Sequence, residues 1–283
     1  MVIPLFTSSY SFRSILTFEE HRDFKKEHQV YEKSFTKRKL IAEGREEAFD
    51  ERLLGFDEWY GNPSDSIIQI CNEEKISPFF VIEDNMVSFL TMRKNAGDLQ
   101  YVFGLRMTFC NSLKDKSDES KKTFCKYILF ARNANGYKSL LRIYSFANEK
   151  GALGMKSRMD FESLKQFWSD DLVLAVPFYD SFVHKNACYF MNCIPSFDFV
   201  KPVFFVENNG VIIDRVIQNG IKSFDPDDKY EKIEAQSIYY KNRADFKAWQ
   251  TYKCIQNHSS LRKPELEHCS SNNFCVEAWR EKK

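Results

Sequence analysis

Short apolar runs alternate with amphipathic segments along most of this sequence, and no other feature limits the possible folds as strongly. One run, PFFVIED at 78–84, has the length of a buried strand, and the segment after it has apolar residues at helical spacing. Strands that alternate with helices form βα units, which build a mostly parallel sheet. About seven such units in a chain of this length favour a closed barrel over an open sheet. The predicted fold class is therefore α/β, with a TIM-like barrel.

The chain has 283 residues, which suits one large α/β domain or two small ones. It contains no internal repeat and no Pro-rich linker, so we expect a single domain over 1–283. Two stretches depart from the alternation. The stretch 18–60 is rich in charged residues, and the spacing of its apolar residues predicts a charged helical insertion. The stretch 257–283 is weakly patterned, and we expect it to form an irregular C-terminal tail.

Polar residues follow two predicted strands at their carboxyl ends, where α/β proteins usually carry their chemistry. The first strand leads into a hydroxyl-rich turn, TSSYS at 7–11, which offers no strong metal ligand and no group that transfers a proton at neutral pH. Asp84 ends a later strand. Its carboxylate is either a site residue or the N-cap of a helix that starts at Met86, and the sequence leaves both interpretations open.

The common motifs of nucleotide binding and nucleophilic catalysis are absent from the sequence. It has no GxxxxGK[ST], no GxGxxG and no GxSxG. None of the five histidines follows a predicted strand. A loose group near the end of the chain lacks the usual zinc spacing and is interpreted as incidental thiols and imidazoles. This group contains Cys254, His258, His268, Cys269 and Cys275. We therefore expect no cofactor.

The charge balance argues against binding to nucleic acid over a large surface, because the net charge is only +1. One local basic run, Lys37, Arg38 and Lys39, lies in the charged insertion and is a candidate for DNA contact. The sequence shows neither a signal-peptide pattern nor an apolar run long enough to span a membrane. We expect a cytoplasmic protein with reduced thiols and no membrane partner.

The order of these segments resembles the polymerase-and-histidinol-phosphatase (PHP) domain at the N-terminus of the bacterial DNA polymerase III α subunit. The opening PLFTSSYSFRSIL is similar to the family's first strand, which leads into His-x-His-Ser-x-Tyr-Ser. FFVIEDN resembles an Ile-Thr-Asp-His strand end, and YVFGLRMTF resembles a strand with Gly-x-Glu. YILFARNANGYKSLL is similar to a strand and helix of the family, and VFFVENN and IEAQSIYY resemble two later strands. The resemblance spans nearly the whole chain except 18–60 and implies a PHP-type distorted (β/α)7 barrel.

In this family, active members hold two or three metal ions at the strand ends with histidines and carboxylates, and the ions activate water. The positions of this chain that match the family's metal site are Leu5, Thr7, Asp84, Asn85, Arg106, Asn209, Ser237 and Tyr239. Leu and Thr cannot replace imidazole as metal ligands, and an arginine in place of a carboxylate repels cations. The resemblance therefore implies a degenerate site without metal or catalytic residues. We expect Asp84 to form an ion pair with Arg106 there, because an unpaired buried charge is costly.

The resemblance implies a non-catalytic scaffold for DNA replication. Such a domain packs on a polymerase core, docks a proofreading exonuclease, or does both, and it reaches DNA only through that complex. One alternative is an active phosphoesterase or 3′–5′ exonuclease that uses Zn, Mn or Mg. Another is a DNA-binding accessory module that uses the insertion at 18–60.

Overall fold

A closed β-barrel surrounded by helices forms the centre of the molecule. The computed structural model describes residues 2–18, 65–154, 156–262 and 270–283. The strands of these residues are β1 (Ile3–Phe6), β2 (Phe79–Glu83), β3 (Tyr101–Phe109), β4 (Cys125–Ala131), β5 (Arg158–Met159), β6 (Leu172–Val176), β7 (Val203–Val206) and β8 (Glu231–Ile238). Seven of them close a ring in the order β1-β2-β3-β4-β6-β7-β8, and β8 pairs with β1. Among the described strands, the short β5 pairs with the end of β3 alone.

Strand direction is mixed within the ring. Five of its seven pairings are parallel, whereas β4 is antiparallel to both β3 and β6. A parallel return from β3 needs a crossover connection, usually a helix. The connection at 110–124 instead contains only a helix of five residues, so the chain returns in the opposite direction. The predicted α/β barrel with a mostly parallel sheet is confirmed, but the pattern of apolar runs did not indicate the direction of β4.

Helices cover the outside of the barrel. They are α1 (Ile67–Glu74), α2 (Ser88–Asn95), α3 (Asp118–Lys122), α4 (Ala134–Glu149), α5 (Phe161–Phe167), α6 (Phe182–Tyr189), α7 (Ile212–Phe224), α8 (Phe246–Gln256) and α9 (Val276–Arg280). Several begin at residues whose short polar side chain accepts a hydrogen bond from a first-turn amide, which is the preferred way to start a helix. These N-cap residues include Ser66, Asn133, Asp160 and Ser181. No helix in the described part of the chain is long and apolar enough to span a lipid bilayer.

The barrel interior is filled by apolar side chains and is not a channel. The buried residues of this inner cluster are Leu5, Ile82, Ile128, Phe130, Ala175, Phe205 and Ala235. A larger apolar cluster fills the space between the strands and the helices outside the ring. Gly104 on β3 faces Phe130, and a Cβ at Gly104 would lie 2.9 Å from Cγ2 of Ile128 and closer still to the ring of Phe130. The glycine is therefore required for the barrel to close around a phenylalanine.

The end of the chain requires a correction, because part of 257–283 is ordered and packs into the core. Within 270–283, α9 forms and both Phe274 and Trp279 are buried. The amide of Tyr239 donates to the carbonyl of Phe274 at 2.9 Å. An irregular tail is therefore wrong for 270–283. The charged helical insertion, apart from Phe18, lies outside the described residues, as do Lys37, Arg38 and Lys39.

Candidate functional site at the barrel mouth

The regular alternation of side chains along the strands places polar groups at one end of the barrel. Successive residues of a strand point to opposite faces, so every second residue faces the interior. On β1 the inward positions are Ile3 and Leu5, and the next one is Thr7. On most of the other ring strands, too, the inward-facing residues end in a polar side chain at the same end of the barrel. We call this end the barrel mouth and define it by these polar residues: Thr7, Asp84, Arg106, Lys126, Glu207 and Ser237. The mouth is thus a ring of polar side chains above an apolar core.

An alternating chain of five charges occupies the mouth, and we call it the Arg106 cluster: Arg13, Asp84, Arg106, Asp180 and Lys185. Nη1 of Arg106 donates to Oδ1 of Asp84 at 2.9 Å, and Nη2 donates to Oδ2 of Asp180. Nε of Arg13 lies 3.1 Å from Oδ2 of Asp84. Nζ of Lys185 lies 2.9 Å from Oδ1 of Asp180. The predicted ion pair between Asp84 and Arg106 is confirmed, and it is part of a larger network.

The positive charges of the Arg106 cluster keep Asp84 ionised. Burial raises the pKa of Asp84, but the positive charges of Arg13 and Arg106 outweigh burial and hold this pKa well below its ordinary value. The backbone of Asp180 is fixed by a hydrogen bond to a neighbouring side chain. It has a left-handed backbone conformation, and its amide donates to Nδ1 of His184 at 2.9 Å. Burial lowers the pKa of His184 to about 4, so the imidazole is neutral and can accept this bond.

The space left at the mouth beside the Arg106 cluster is small. A cavity of about 20 Å³ lies there, which is room for about one water molecule. Its lining includes Leu5, Thr7, Arg106, Ser237 and Tyr239, together with Arg13, Asp180 and Glu207. Nη2 of Arg13 donates to Oγ1 of Thr7 at 3.1 Å and to the carbonyl of Ile82 at 3.0 Å. The mouth is therefore nearly filled by the protein's own side chains.

The hydroxyl-rich turn after β1 binds a buried glutamate. Glu83 accepts hydrogen bonds from the amide of Ser8 at 2.7 Å and from Oγ of Ser11. Oγ of Ser11 also accepts from the amide of Asp84 at 2.7 Å. Burial raises the pKa of Glu83 from 4.5 to about 7, although these hydrogen bonds oppose the shift. The turn at 7–11 thus ties β1 to the end of β2, which gives its hydroxyl groups a structural role.

A second buried glutamate, Glu207, lies on the opposite side of the mouth. It accepts from the amide and the hydroxyl of Ser237, both at 2.8 Å, and from Nδ2 of Asn209 at 2.7 Å. Burial raises the pKa of Glu207, and the bonds from Ser237 counteract part of this shift. Asn209 also donates to the hydroxyl of Tyr179, which donates to Asp214 at 2.8 Å. Glu207 is therefore anchored by neutral donors from Ser237 and Asn209.

The structure brings most of the predicted site residues together. Leu5, Thr7, Arg106, Ser237 and Tyr239 line the cavity. Asp84 contacts Arg106 and Asn209 contacts Glu207, and both of these partners line the cavity. The exception is Asn85, whose Nδ2 donates to the carbonyl of Tyr10 and whose Oδ1 accepts from the amide of Val87. Asn85 therefore supports the local backbone and does not contribute to the cavity.

The sequence did not predict several charged residues in and around the mouth. Glu83 ends β2 and Glu207 directly follows β7, and that position was an available signal, whereas Asp180 lies in the turn between β6 and α6. Arg13 had no local signal, since it reaches Asp84 only through the fold. Lys126 is the second residue of β4, and because this strand is antiparallel to β3, its amino end lies at the mouth. A search limited to carboxyl ends of strands cannot find such a residue.

The residues present do not fit a metal centre of the kind that the PHP resemblance implies. Arg106 places a fixed positive charge between the carboxylates of Asp84 and Asp180. Among the described residues, no group of three or more His, Cys, Asp or Glu side chains could hold a metal ion. Of the loose group near the C-terminus, Cys254, His258 and Cys275 are covered by this statement, whereas 268 and 269 lie outside it.

The fold and the site together define an α/β-barrel protein whose mouth is occupied by ion pairs. No protein-family model matches the chain, and a search of curated proteins gives no sequence match. The function therefore has to be argued from the residues themselves.

Proposed function

We propose that this chain is a non-catalytic PHP-like domain of a replicative DNA polymerase III α-type subunit. In this role it acts as a scaffold that packs on the polymerase core or docks a proofreading exonuclease. The sequence resemblance supplies the family, and the closed barrel of seven strands is compatible with it. The observation that supports the non-catalytic part is the Arg106 cluster, because two of its residues, Asp84 and Arg106, are positions that the resemblance matches to the family's metal site.

The geometry of the mouth supports a structural role for this end of the barrel. A divalent ion would have to displace the guanidinium of Arg106, whose two arms each hold a carboxylate. It would also need space for its ligands and for a substrate, whereas the cavity holds about one water molecule. A scaffold requires neither metal nor substrate at this position. It requires only that the barrel stay rigid, and buried ion pairs between different strand ends can provide that rigidity.

The catalytic alternative is tested by metal binding and hydrolysis. We expect purified protein titrated with manganese or zinc to show no saturable binding at the mouth and no metal-dependent cleavage of bis(p-nitrophenyl) phosphate or single-stranded DNA. The matched variant is Asp84→Asn, which removes the one carboxylate that the resemblance retains. Manganese-dependent cleavage that is lost in Asp84→Asn would overturn the non-catalytic proposal.

The scaffold role is tested by capture of its partner. We expect the tagged full chain, expressed in its source cell, to co-purify with a polymerase or exonuclease subunit in stoichiometric amount, identified by mass spectrometry. Recovery should persist after nuclease treatment, because the proposed contact is between proteins. A chain that recovers replication proteins only while DNA is intact would instead favour the DNA-binding accessory module. Recovery of no replication protein would contradict both.

A further inference from the structure

A second and larger cleft opens beside the mouth, on the side of β3 and β4. Its volume is about 260 Å³, and Arg106 lines both this cleft and the small cavity. The lining of the cleft consists mostly of polar and charged side chains. The lining residues are Asp84, Arg106, Met107, Thr108, Lys126, Tyr144, Asn148, Lys156 and Ser157. This volume is large enough for a small organic ligand, in contrast to the cavity.

Lys126 provides a half-buried positive charge on the floor of the cleft. It lies opposite Thr108 in the β3–β4 pairing, and its Nζ donates to Oγ1 of Thr108 at 2.8 Å. In the described part of the chain it makes no ion pair with a carboxylate. Burial lowers the pKa of Lys126 to about 8, although the charge of Asp84 opposes the shift. A half-buried ammonium that is hydrogen-bonded to a neutral hydroxyl is a favourable place for an anion.

Lys156 provides a second positive charge at the edge of the cleft. Its Nζ lies 3.4 Å from the ring centre of Phe124, a cation–π contact that holds the ammonium in place. Within the described residues it too has no carboxylate partner. Nearby, Oγ of Ser157 donates to Oδ1 of Asn148 at 2.6 Å, and this bond fixes the adjoining wall. The lysine is therefore positioned on an ordered surface.

The balance of charge in the cleft is positive. Its lining contains three cations, Arg106, Lys126 and Lys156, and one acid, Asp84. Asp84 is already shared between Arg106 at 2.9 Å and Arg13 at 3.1 Å. Neither lysine forms an ion pair with a carboxylate among the described residues. Both lie in a concave, partly desolvated site, where attraction to an anion is stronger than on an open surface.

We propose that this cleft binds the phosphate group of a small phosphorylated ligand, with Lys126 and Lys156 as its cationic contacts. Lysine ammonium groups act as point charges that bind phosphate from several directions, whereas a planar carboxylate is best held by an arginine fork. The fork of Arg106 is already engaged with two carboxylates, so a tetrahedral dianion fits the groups that remain. This inference does not depend on the scaffold role, because it concerns a separate cleft and no catalysis.

Calorimetric titration of the full chain at constant ionic strength tests the ligand class. The probes are inorganic phosphate, acetate, and a thymidine dinucleotide with or without a 5′-phosphate. We expect saturable binding of phosphate and of the 5′-phosphorylated dinucleotide, with dissociation constants below about 1 mM. Absence of phosphate binding, or equal binding of acetate, would overturn the proposal. Equal binding of the two dinucleotides would assign the cleft to the nucleic-acid backbone and contradict a phosphate monoester.

Variants test the two lysines. Lys156→Met leaves the core intact because Lys156 is exposed, and we expect it to weaken phosphate binding about tenfold, as does Lys126→Met. The matched control is Lys165→Met, since Lys165 is also an exposed lysine over a phenylalanine ring, that of Phe199, but does not line the cleft. The control should bind phosphate like the wild type. If Lys156→Met also binds like the wild type, or if Lys165→Met is equally weakened, the assignment to this cleft is wrong.

Discussion

Arg106 is the side chain that joins the strand ends of the barrel mouth. Its two terminal nitrogens hold Asp84, after β2, and Asp180, after β6, so one guanidinium crosslinks two separate parts of the ring. Its side chain is only 7% exposed, and both carboxylates are partly buried. Breaking a buried pair by removing one partner is costly, because the other charge stays behind without compensation. Arg13 and Lys185 would remain as secondary partners.

Substitution of Arg106 measures this crosslink. We expect Arg106→Leu to lower the free energy of unfolding by about 3 kcal/mol, since two carboxylates lose their shared cation. Arg106→Lys keeps the charge but loses the two-armed geometry, so its loss should be smaller. Urea unfolding at neutral pH gives both values. The double variant Asp84→Asn with Arg106→Leu should lose less than the sum of the two single losses, and strict additivity would contradict the pairing.

Glu83 makes stability depend on pH in the direction opposite to that of a typical paired carboxylate. Burial raises its pKa from 4.5 to about 7, so the folded state binds the proton more tightly than the unfolded chain. Its contribution is therefore complete below about pH 4.5 and is lost as the pH rises towards 7. The shift corresponds to about 3 kcal/mol.

The variant Glu83→Gln, which cannot ionise, isolates this effect. Relative to the wild type, we expect the variant to gain up to about 3 kcal/mol in free energy of unfolding between pH 4.5 and pH 7.5. Urea unfolding of both proteins at the two pH values measures the change. Glu162→Gln, at an exposed position, is the control and should follow the wild type at both values. A difference between Glu83→Gln and the wild type that stays constant with pH would show that Glu83 does not titrate in this range.

Among the strands, β3 and β4 make one close contact inside the barrel. Gly104 leaves room for Phe130, and Ile128 lies on the same inner face. A methyl group at position 104 would press against both side chains, and a filled core does not absorb such overlap without moving strands or rotamers. The contact thus couples the backbone of one strand to the packing of the other.

The variant Gly104→Ala tests this coupling. We expect it to lower the free energy of unfolding by about 1–3 kcal/mol through overpacking. In combination with Phe130→Leu, which removes part of the obstructing ring, the loss caused by Gly104→Ala should be smaller than in the wild-type background. Thermal and urea unfolding of the four proteins form a double-mutant cycle. Equal losses in both backgrounds would contradict a steric contact between the two positions.

The elements differ in how well the sequence predicted them. Apolar runs identified the strands and their carboxyl ends, and this information suffices to place Thr7 and Asp84 at one mouth, whereas Ser237 was assigned there only through the family resemblance. The direction of β4 depends on the connection before it, which carries no periodic signal. Lys126 was therefore missed, because it comes at the start of a strand. The pairing of Arg13 with Asp84 joins residues 71 positions apart, counted as 84 minus 13, and no local pattern encodes such a contact.

For the molecule as a whole, the closing segment at 270–283 matters as much as the barrel strands. It was expected to be irregular because its apolar residues are few and do not follow a strand or helix period over any length. The structure gives each of them a place in the core. Phe274 stacks on Tyr239, and Cys275 forms a parallel bridge with Tyr240. Such burial depends on partners far away in the sequence, so it cannot be predicted from a short window.

Trp279 connects this last segment to the first strand of the barrel. Its side chain is 3% exposed, and its Nε1 donates to the carbonyl of Val2 at 2.9 Å, just before β1. The two ends of the chain are thus joined by one buried aromatic residue. If the segment belongs to the same cooperative unit as the barrel, loss of this residue should destabilise the entire fold, whereas a loosely attached segment would detach without affecting the rest.

We expect Trp279→Ala to lower the free energy of unfolding by about 3–5 kcal/mol, the usual cost of removing a buried tryptophan. Trp279→Phe retains most of the packing but not the N–H donor, so its loss should be smaller and should include about 1 kcal/mol for the missing hydrogen bond. Urea unfolding followed by far-UV circular dichroism reports on the barrel itself. Because both variants keep the chain length, a single transition at lower urea concentration would show that the C-terminal segment and the barrel unfold together. A Trp279→Ala protein that unfolds at the wild-type midpoint would show instead that the barrel closes without this segment.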